Sequence, residues 1–561
     1  MRTLTCTLVM LLLSLSVNLA QDVPAPAKEV DNATLLKDYL GAKGKEKNAL
    51  REKLLALTPD QLRKAIDGLT YDGVVTGVQE WTTQCPDGFE RPYWVYVPEG
   101  YNPAKRYPLL VCLHGGVSGQ PLRGERFNPG EYSIEYWLPH MTDEQKKEVV
   151  ILGCSAGVPE TGMEAAWWHL KGQNNVLHMI RETKRRVNID DDRVIVNGHS
   201  DGGSGSFGFA YRQPDAFAGF FAMNGHPMVA QADGTPVWLE NLKGLNIRAF
   251  NGGKDGLYPA KRTTPIYDQA NELGANIDHT TYPDLDHQVG DVLEDEVAGF
   301  FDDELTRWNR DLLPAEIDWA CTGAERGRRA WLHIDEIGEL GSANIAPVNA
   351  EINVPAGRPR LGITVERQVE KPTVETVQKG STAADMGIEE GDVITKLDDH
   401  VIATMQDLLD ALDTKAAGDD VTIEVERAGK AETLKGKFAA NQQQELEVRG
   451  PVVARVIAKL DKPGQISLTV RNAKKVTLYA AQSMLDAEGK LRVRLNPGDD
   501  SQELKIVRTE TVVPSSAFML DEFERTHDRR LPWVAKFEVN VAGLLGVKVK
   551  PADPKKKEDE F

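Results

Sequence analysis

The sequence predicts an α/β fold with a mostly parallel sheet, joined to smaller β-rich units. Three observations lead there. Strand-like segments, the apolar runs Tyr107–Leu113 and Val194–Val196 and the stretch Asn246–Phe250, alternate with helical patterns, one of which carries Val176, Leu177, Ile180 and Val187. That alternation implies parallel strands with helices on both faces. A Gly198-His199-Ser200-Asp201-Gly202 pentapeptide follows Val194-Ile195-Val196, so Ser200 falls on a tight strand-to-helix turn that needs small flanking residues. Beyond about residue 318, long stretches alternate apolar and polar residues, the period of half-buried strands.

The chain has 561 residues, more than one core accommodates, and its length suggests three or four domains. Residues 1–20 read as a secretory signal: Arg2 is the positive end, Leu8–Val17 the apolar run and Ala20 a small residue at the cleavage point. The run is too short to span a bilayer, and Cys6 precedes it, badly placed for a lipid anchor. The expected address is secreted or periplasmic, without an integral membrane span. Residues 21–72 follow as a Pro/Ala-rich linker and a helical prefix. In the prefix, Thr58-Pro59-Asp60-Gln61 is a capping box with proline at the first helical position. Leu62, Ile66 and Leu69 then share one helix face. A prefix packed on the next domain is favoured over a lid or a partner-binding segment.

Lys plus Arg number 66 against 85 Asp plus Glu, a net charge of −19. No basic stripe with interleaved aromatics appears, so no nucleic-acid partner is expected. After the signal, four cysteines remain. Cys112 and Cys154 fall on predicted core strands as small hydrophobes. Cys85 and Cys321 stay open to pairing in an oxidising compartment, which spacing does not decide. No Cys/His spacing suggests zinc, so no metal site is assigned.

The chemistry concentrates in residues 73–318. A serine hydroxyl is a poor nucleophile at neutral pH and needs a base within hydrogen-bond reach, itself oriented by a carboxylate. After Ser200, the strand Asn246–Phe250 runs into Asn251-Gly252-Gly253-Lys254-Asp255. A helix over about 259–273 follows, then a short strand over 279–282 and Pro283-Asp284-Leu285-Asp286-His287. Asp255 and His287 thus each lie just past the C-terminal end of a predicted strand, the edge where open α/β sheets gather catalytic groups. Asp284 and Asp286 are rivals to Asp255, but they share the histidine's own loop and are too close in sequence to orient it easily.

Upstream, the buried strand Tyr107–Leu113 runs into His114-Gly115-Gly116. A tetrahedral intermediate needs hydrogen-bond donors; the backbone N–H near Gly116 is one candidate and that of Asp201 the other. His114 and His199 are expected to pack, and His226 reads as a turn histidine sooner than a pocket wall. Trp167 and Trp168, on a long strand-to-helix connection, form either a substrate-stacking wall or a core pair that anchors the loop.

From Arg91-Pro92-Tyr93-Trp94-Val95-Tyr96-Val97-Pro98 through His287 the chain resembles the esterase and polyhydroxybutyrate-depolymerase-like branch of the α/β-hydrolases, a neighbourhood shared with feruloyl esterases and secreted peptidases. The matching stretches are Val95–Pro98, Leu113–Gly116, Gly198–Gly203, Gly253–Asp255 and Asp286–His287. The resemblance implies carboxylic-ester hydrolysis through an acyl-enzyme, with no metal or organic cofactor. It leaves the acyl group open. Asp201 departs from the Met or Gln common after the nucleophile, and its carboxylate is expected to disfavour anionic substrates.

Residues 358–439 resemble a bacterial-type PDZ domain, through Arg360–Val365, Gly380–Ala384, Gly387–Ile394 and Val421–Val425. Such a groove adds a peptide strand to a sheet edge and holds a C-terminal carboxylate on backbone N–H groups. Leu361, Gly362 and Ile363 match the carboxylate loop, and the helix with Met405, Leu408, Leu409 and Leu412 the facing wall. A vestigial groove remains the alternative. The flanks, 319–357 and 440–545, are strand-rich, and neither alone buries a two-sheet core, so one small β-sandwich split by the PDZ segment is expected. Residues 546–561 form a charged tail.

The expected function is therefore a secreted or periplasmic serine esterase acting through Ser200, Asp255 and His287 on a small or polymeric ester. A peptide C-terminus is the further candidate partner, at the PDZ groove. Two alternatives fit the same residues: a serine peptidase with PDZ-assisted peptide recruitment, and a non-catalytic envelope scaffold.

Overall fold

A computed structural model describes residues 31–117, 129–156, 165–340, 345–349, 361–365, 371–416, 418–438, 452–496 and 505–544. The signal segment, the linker over 22–28, Arg360, the strand residues after Asn349 and the charged tail lie outside the described residues. The chain divides into two compact units, Met1–Leu69 and Thr70–Phe561.

In the first unit three helices, α1 (Asn32–Gly41), α2 (Gly44–Leu55) and α3 (Pro59–Asp67), bury Leu36, Tyr39, Leu54, Leu62 and Ile66. The Thr58 hydroxyl accepts from the Gln61 N–H, and the Gln61 side chain accepts from the Thr58 N–H. The capping box therefore starts α3 as its sequence dictates.

The second unit is built on an eight-stranded sheet. Its strands are β1 (Gly77–Gln84), β2 (Glu90–Val97), β3 (Tyr107–Leu113), β4 (Val150–Cys154), β5 (Ile189–His199), β6 (Gly219–Met223), β7 (Asn246–Gly252) and β8 (Asn276–Tyr282). They stand in the order β1-β2-β4-β3-β5-β6-β7-β8. The pairs β1–β2 and β2–β4 are antiparallel and every later pair is parallel. Leu109, Val111 and Leu113 enter one core while Leu110 and Cys112 enter another. The pleat sends alternate side chains to opposite faces, so both faces of β3 are covered. This is why its sequence is an unbroken apolar run.

Helices α4 (Pro129–Glu135), α5 (Asp143–Lys146), α6 (Leu170–Lys184), α7 (Asp201–Arg212), α8 (Ala260–Glu272) and α9 (Gly290–Asp302) follow in chain order; α6 to α9 each bury a face, whereas α5 buries no residue.

Strands from both sides of the PDZ segment interleave in two further sheets. Glu316–Cys321 pairs antiparallel with Ala454–Lys462, and Leu332–Ile337 with Ala473–Ala481. Trp319, Trp331, Val456, Leu468, Leu478 and Trp533 share one core between the sheets. One pairing within them, Gln465–Arg471 with Lys490–Asn496, is parallel. The PDZ domain has its own core around Leu361, Ile394, Leu408, Ile423 and Val425.

The open question about Cys85 and Cys321 resolves against a bridge. Cys85 packs in the core of the large sheet and Cys321 in that of the sandwich, and both are free thiols. Among the described residues, no helix is long and apolar enough to cross a membrane.

Candidate active site

Ser200 sits between β5 and α7 with φ +59° and ψ −122°. This backbone region is costly for a residue with a side chain, on the order of 1–3 kcal/mol. The surroundings hold it there. The Ser200 N–H donates to the Met223 carbonyl at 2.9 Å, and the Ser204 N–H donates to the Ser200 carbonyl at 3.0 Å. The glycines of the pentapeptide are sterically required, since a Cβ on Gly198 or Gly202 would overlap the Leu113 carbonyl oxygen. The bend can form only where those side chains are missing.

His287, on the loop after β8, reaches back to this turn. Its Nε2 lies 2.9 Å from the Ser200 Oγ, and its Nδ1 lies 2.9 Å from the Asp255 Oδ2. A carboxylate only accepts, so Nδ1 carries the proton and Nε2 is free to accept from the serine. The Asp255 side chain is fully buried while that of His287 is 20% exposed, leaving the imidazole open to a substrate. Asp255 also caps: its Oδ1 accepts from the N–H groups of Leu257 and Tyr258 at 2.7 and 2.9 Å. The capping and orienting readings of this residue hold together, one oxygen for each. Asp284 turns outward to Lys254, and Asp286 accepts from the Gln288 N–H; neither contacts the imidazole.

Three braces were not legible in the sequence. The His199 Nε2 donates to the His287 carbonyl at 2.7 Å, and its Nδ1 accepts from the Tyr136 hydroxyl at 3.1 Å. The residue before the nucleophile thus holds the loop of the base, and burial pushes its pKa down to about 4. Asn224 donates to the Asp286 carbonyl and accepts from the Gly252 N–H, tying the His287 loop to the end of β7. The Tyr258 hydroxyl donates to the Asp201 Oδ1 at 3.1 Å, so the buried Asp201 carboxylate engages Tyr258. The signal was present in residue type, but partners 28 to 88 positions apart give no local pattern.

The proposed donors flank the nucleophile. Asp201 opens α7, where helix N–H groups and the macrodipole favour negative charge. On the other side, a Cβ on Gly115 would lie 3.2 Å from the Ser200 Cβ and 3.7 Å from Oγ, and Gly116 follows with φ +73°. His114 shapes this turn: its Nδ1 donates to the Gly115 carbonyl and its Nε2 accepts from the Ala156 N–H. Burial pushes its pKa down to about 4, which keeps it neutral.

Trp167 and Trp168 do not form a substrate wall. They are 1% and 0% exposed. Trp167 Nε1 donates to the His114 carbonyl at 2.8 Å, and Gly205 and Gly208 let α7 pack against the two indoles. The apolar area of two indoles favours this core position over the surface. His226 is a turn residue whose Nδ1 accepts from the Met228 N–H. Its ring stands 5.8 Å from Tyr258, which stands 5.9 Å from His287.

In the PDZ domain, Leu361 is buried, and its carbonyl accepts from the Ala383 N–H. Gly362 has φ +80°, and its carbonyl accepts from the Gln378 N–H. Ile363–Val365 pairs with Val374–Val377 as one edge of a two-stranded sheet. Met405 is 39% exposed, whereas Leu408 and Leu412 are buried, so the helix wall offers Met405 and commits those leucines to the core. No cluster of metal-ligating residues occurs among the described residues.

Comparison with known proteins agrees with this architecture. Residues 88–258 match the family described as "Putative esterase", and residues 359–437 match the PDZ domain. Over 171 residues the chain is 26% identical to "Probable feruloyl esterase C" of Aspergillus terreus, covering 29% of this chain and 58% of that protein. The chain therefore spans little more than half of that curated relative. Among solved structures, a thermostable esterase aligns at 22% identity and a TM-score of 0.33, over 42% of this chain and 63% of the other. An acylaminoacyl peptidase of Pyrococcus horikoshii aligns at 14% identity and a TM-score of 0.33, over 42% of each chain.

Proposed function

We propose, for a chain that carries an esterase-family α/β-hydrolase domain and a PDZ domain, that it hydrolyses carboxylic esters through an acyl-enzyme on Ser200. The observation that carries this reading is the unbroken relay from Asp255 through His287 to the Ser200 hydroxyl, with both links at 2.9 Å.

His287 removes the Ser200 proton as Oγ attacks the ester carbonyl, and Asp255 stabilises the imidazolium that forms. The backbone N–H groups of Gly116 and Asp201 receive the oxyanion. The imidazolium then protonates the departing alcohol. Water, deprotonated by the same histidine, attacks the acyl-enzyme and releases the acid. The strained Ser200 backbone keeps Oγ raised above the sheet edge throughout.

Esters of aromatic acids of the feruloyl type are the first substrates to test, given the curated relative. The N-terminal pattern supports export to the periplasm or beyond, and the PDZ groove supports capture of a peptide C-terminus. That groove also favours the second reading, a peptidase on the same relay.

A fluorophosphonate probe should label the wild-type chain and not Ser200→Ala. Turnover of p-nitrophenyl and feruloyl esters should then fall in Ser200→Ala by on the order of 10⁴–10⁶. Asp255→Asn should lose about 10⁴, because Nδ1 loses its anionic acceptor. An unlabelled Ser200 would remove the enzyme reading. Turnover of aminoacyl amides without ester turnover would establish the peptidase.

A further inference from the structure

A cavity of about 310 Å³ lies between the α/β domain and the β-sandwich, within the size range of small-molecule sites. None of its lining residues belongs to the Ser200 site. It meets α7 at Arg212, the last residue of that helix, about 18 Å along the axis from Ser200.

One wall is apolar, with Leu177 and Ile180 from α6 facing Leu531 of the sandwich. The polar side is dominated by Arg328. Its Nε donates to the Ala330 carbonyl at 2.8 Å. Its guanidinium lies over the Tyr479 ring at 3.3 Å and stands 5.7 Å from that of Trp533. Among the described residues its Nη atoms have no hydrogen-bond partner. The nearest carboxylate, Asp215, stands 3.8 Å from Nε and is already taken by Arg329 and the Ala330 N–H. Burial pushes the Arg328 pKa down, against the opposing pull of Tyr479 and Asp215.

Glu325 also lines the cavity, as an exposed carboxylate, and the remaining charges are engaged. Lys184 pairs with Asp191, Arg525 with Glu522, and Asp528 with Arg310. Arg212 pairs with Asp233 through both terminal nitrogens. Two buried polar atoms on lining residues lack a partner, the Trp533 Nε1 and the Arg212 Nε. These residues are 2% and 4% exposed. Both atoms are donors. The two Nη donors of Arg328, held in place by the bond from Nε to the Ala330 carbonyl, suit an anionic ligand with planar oxygens. The aliphatic wall calls for an apolar body on the same molecule.

We propose that this interdomain cavity binds a small organic carboxylate, its carboxylate on the Arg328 fork and its apolar part against Leu177, Ile180 and Leu531. The site is separate from the ester-cleaving centre and stands whether or not that centre is active.

The test is isothermal titration calorimetry of the full chain with benzoate and, in parallel, octanoate. One-to-one binding is expected for at least one of them. The affinity should fall at least ten-fold in Arg328→Met, which removes the fork, and in Ala216→Phe, which fills the cavity without removing a charge. Circular dichroism establishes that each variant is folded. Unchanged affinity in both variants would place the ligand elsewhere and overturn the proposal. So would the absence of binding by either acid, or inorganic phosphate binding as tightly as benzoate.

Discussion

His199 shows how much one side chain can organise. It precedes the nucleophile in sequence and supports the base in space, because its Nε2 holds the His287 carbonyl while Tyr136 fixes its tautomer. Replacing it with Phe should loosen the His287 loop without touching substrate. The expected result is a fall in kcat of roughly ten- to hundred-fold with KM little changed. Gln, whose amide can still donate to the carbonyl, should recover part of the loss. Steady-state kinetics on a p-nitrophenyl ester decides this, and equal losses in both variants would argue against a positioning role.

The same residue scale governs acid stability. Burial lowers His114, His199 and His226 to about 4 and His527 to about 3, against about 6.5 in an unfolded chain. A depressed histidine pKa means that the folded state binds fewer protons than the unfolded one across that window. These residues therefore contribute stability that is complete above about pH 6.5 and is lost as pH falls toward 4. The Tm should decline steadily between those limits in a thermal-melt series. A flat profile there would contradict the buried neutral histidines.

At the scale of elements, α7 is the piece on which the site depends. It starts at the nucleophile turn, packs with no exposed residue, and lies so close to Trp167 that a Cβ on Gly205 would fall within 2.5 Å of the indole stem. The glycine-rich Gly202–Gly208 stretch weakens the helix by propensity and is kept because bulk there would push α7 off the two tryptophans. Gly205→Ala should therefore destabilise the fold by about 1–3 kcal/mol through overpacking, despite its better helix propensity. Denaturant melts measure this, and a stabilised variant would show that α7 has room to move.

At the scale of the molecule, the α/β domain and the sandwich are joined by buried charge as well as by apolar packing. Arg310, between the two, pairs with Asp528 and Asp192 and is 2% exposed at its side chain. It holds the Asp528 carboxyl down at about 2. Arg310→Met should cost about 3–5 kcal/mol, since it leaves Asp528 buried without its partner. Equilibrium unfolding followed by tryptophan fluorescence should show this loss. A variant as stable as wild type would mean that the ion pairs across this contact contribute nothing net.

Much of the architecture could be read from local pattern. The continuous apolar run at Tyr107–Leu113 announced a strand covered on both faces. The glycines around Ser200 announced a bend too tight for side chains, and the order Ser200, Asp255, His287 placed three groups past the ends of three strands, β5, β7 and β8. Periodicity, turn chemistry and chain order are properties of neighbouring residues, so the sequence by itself determined the α/β class, the PDZ resemblance and the candidate relay. Tertiary structure decided what depends on distant partners. It put Trp167 and Trp168 into the core, kept Cys85 and Cys321 in separate cores, and set His199 under the His287 loop. It also left the terminal nitrogens of Arg328 at a cavity wall with no hydrogen-bond partner among the described residues. Those outcomes depend on which surfaces meet after folding, and nothing in the spacing along a chain records how far apart two residues will finally lie.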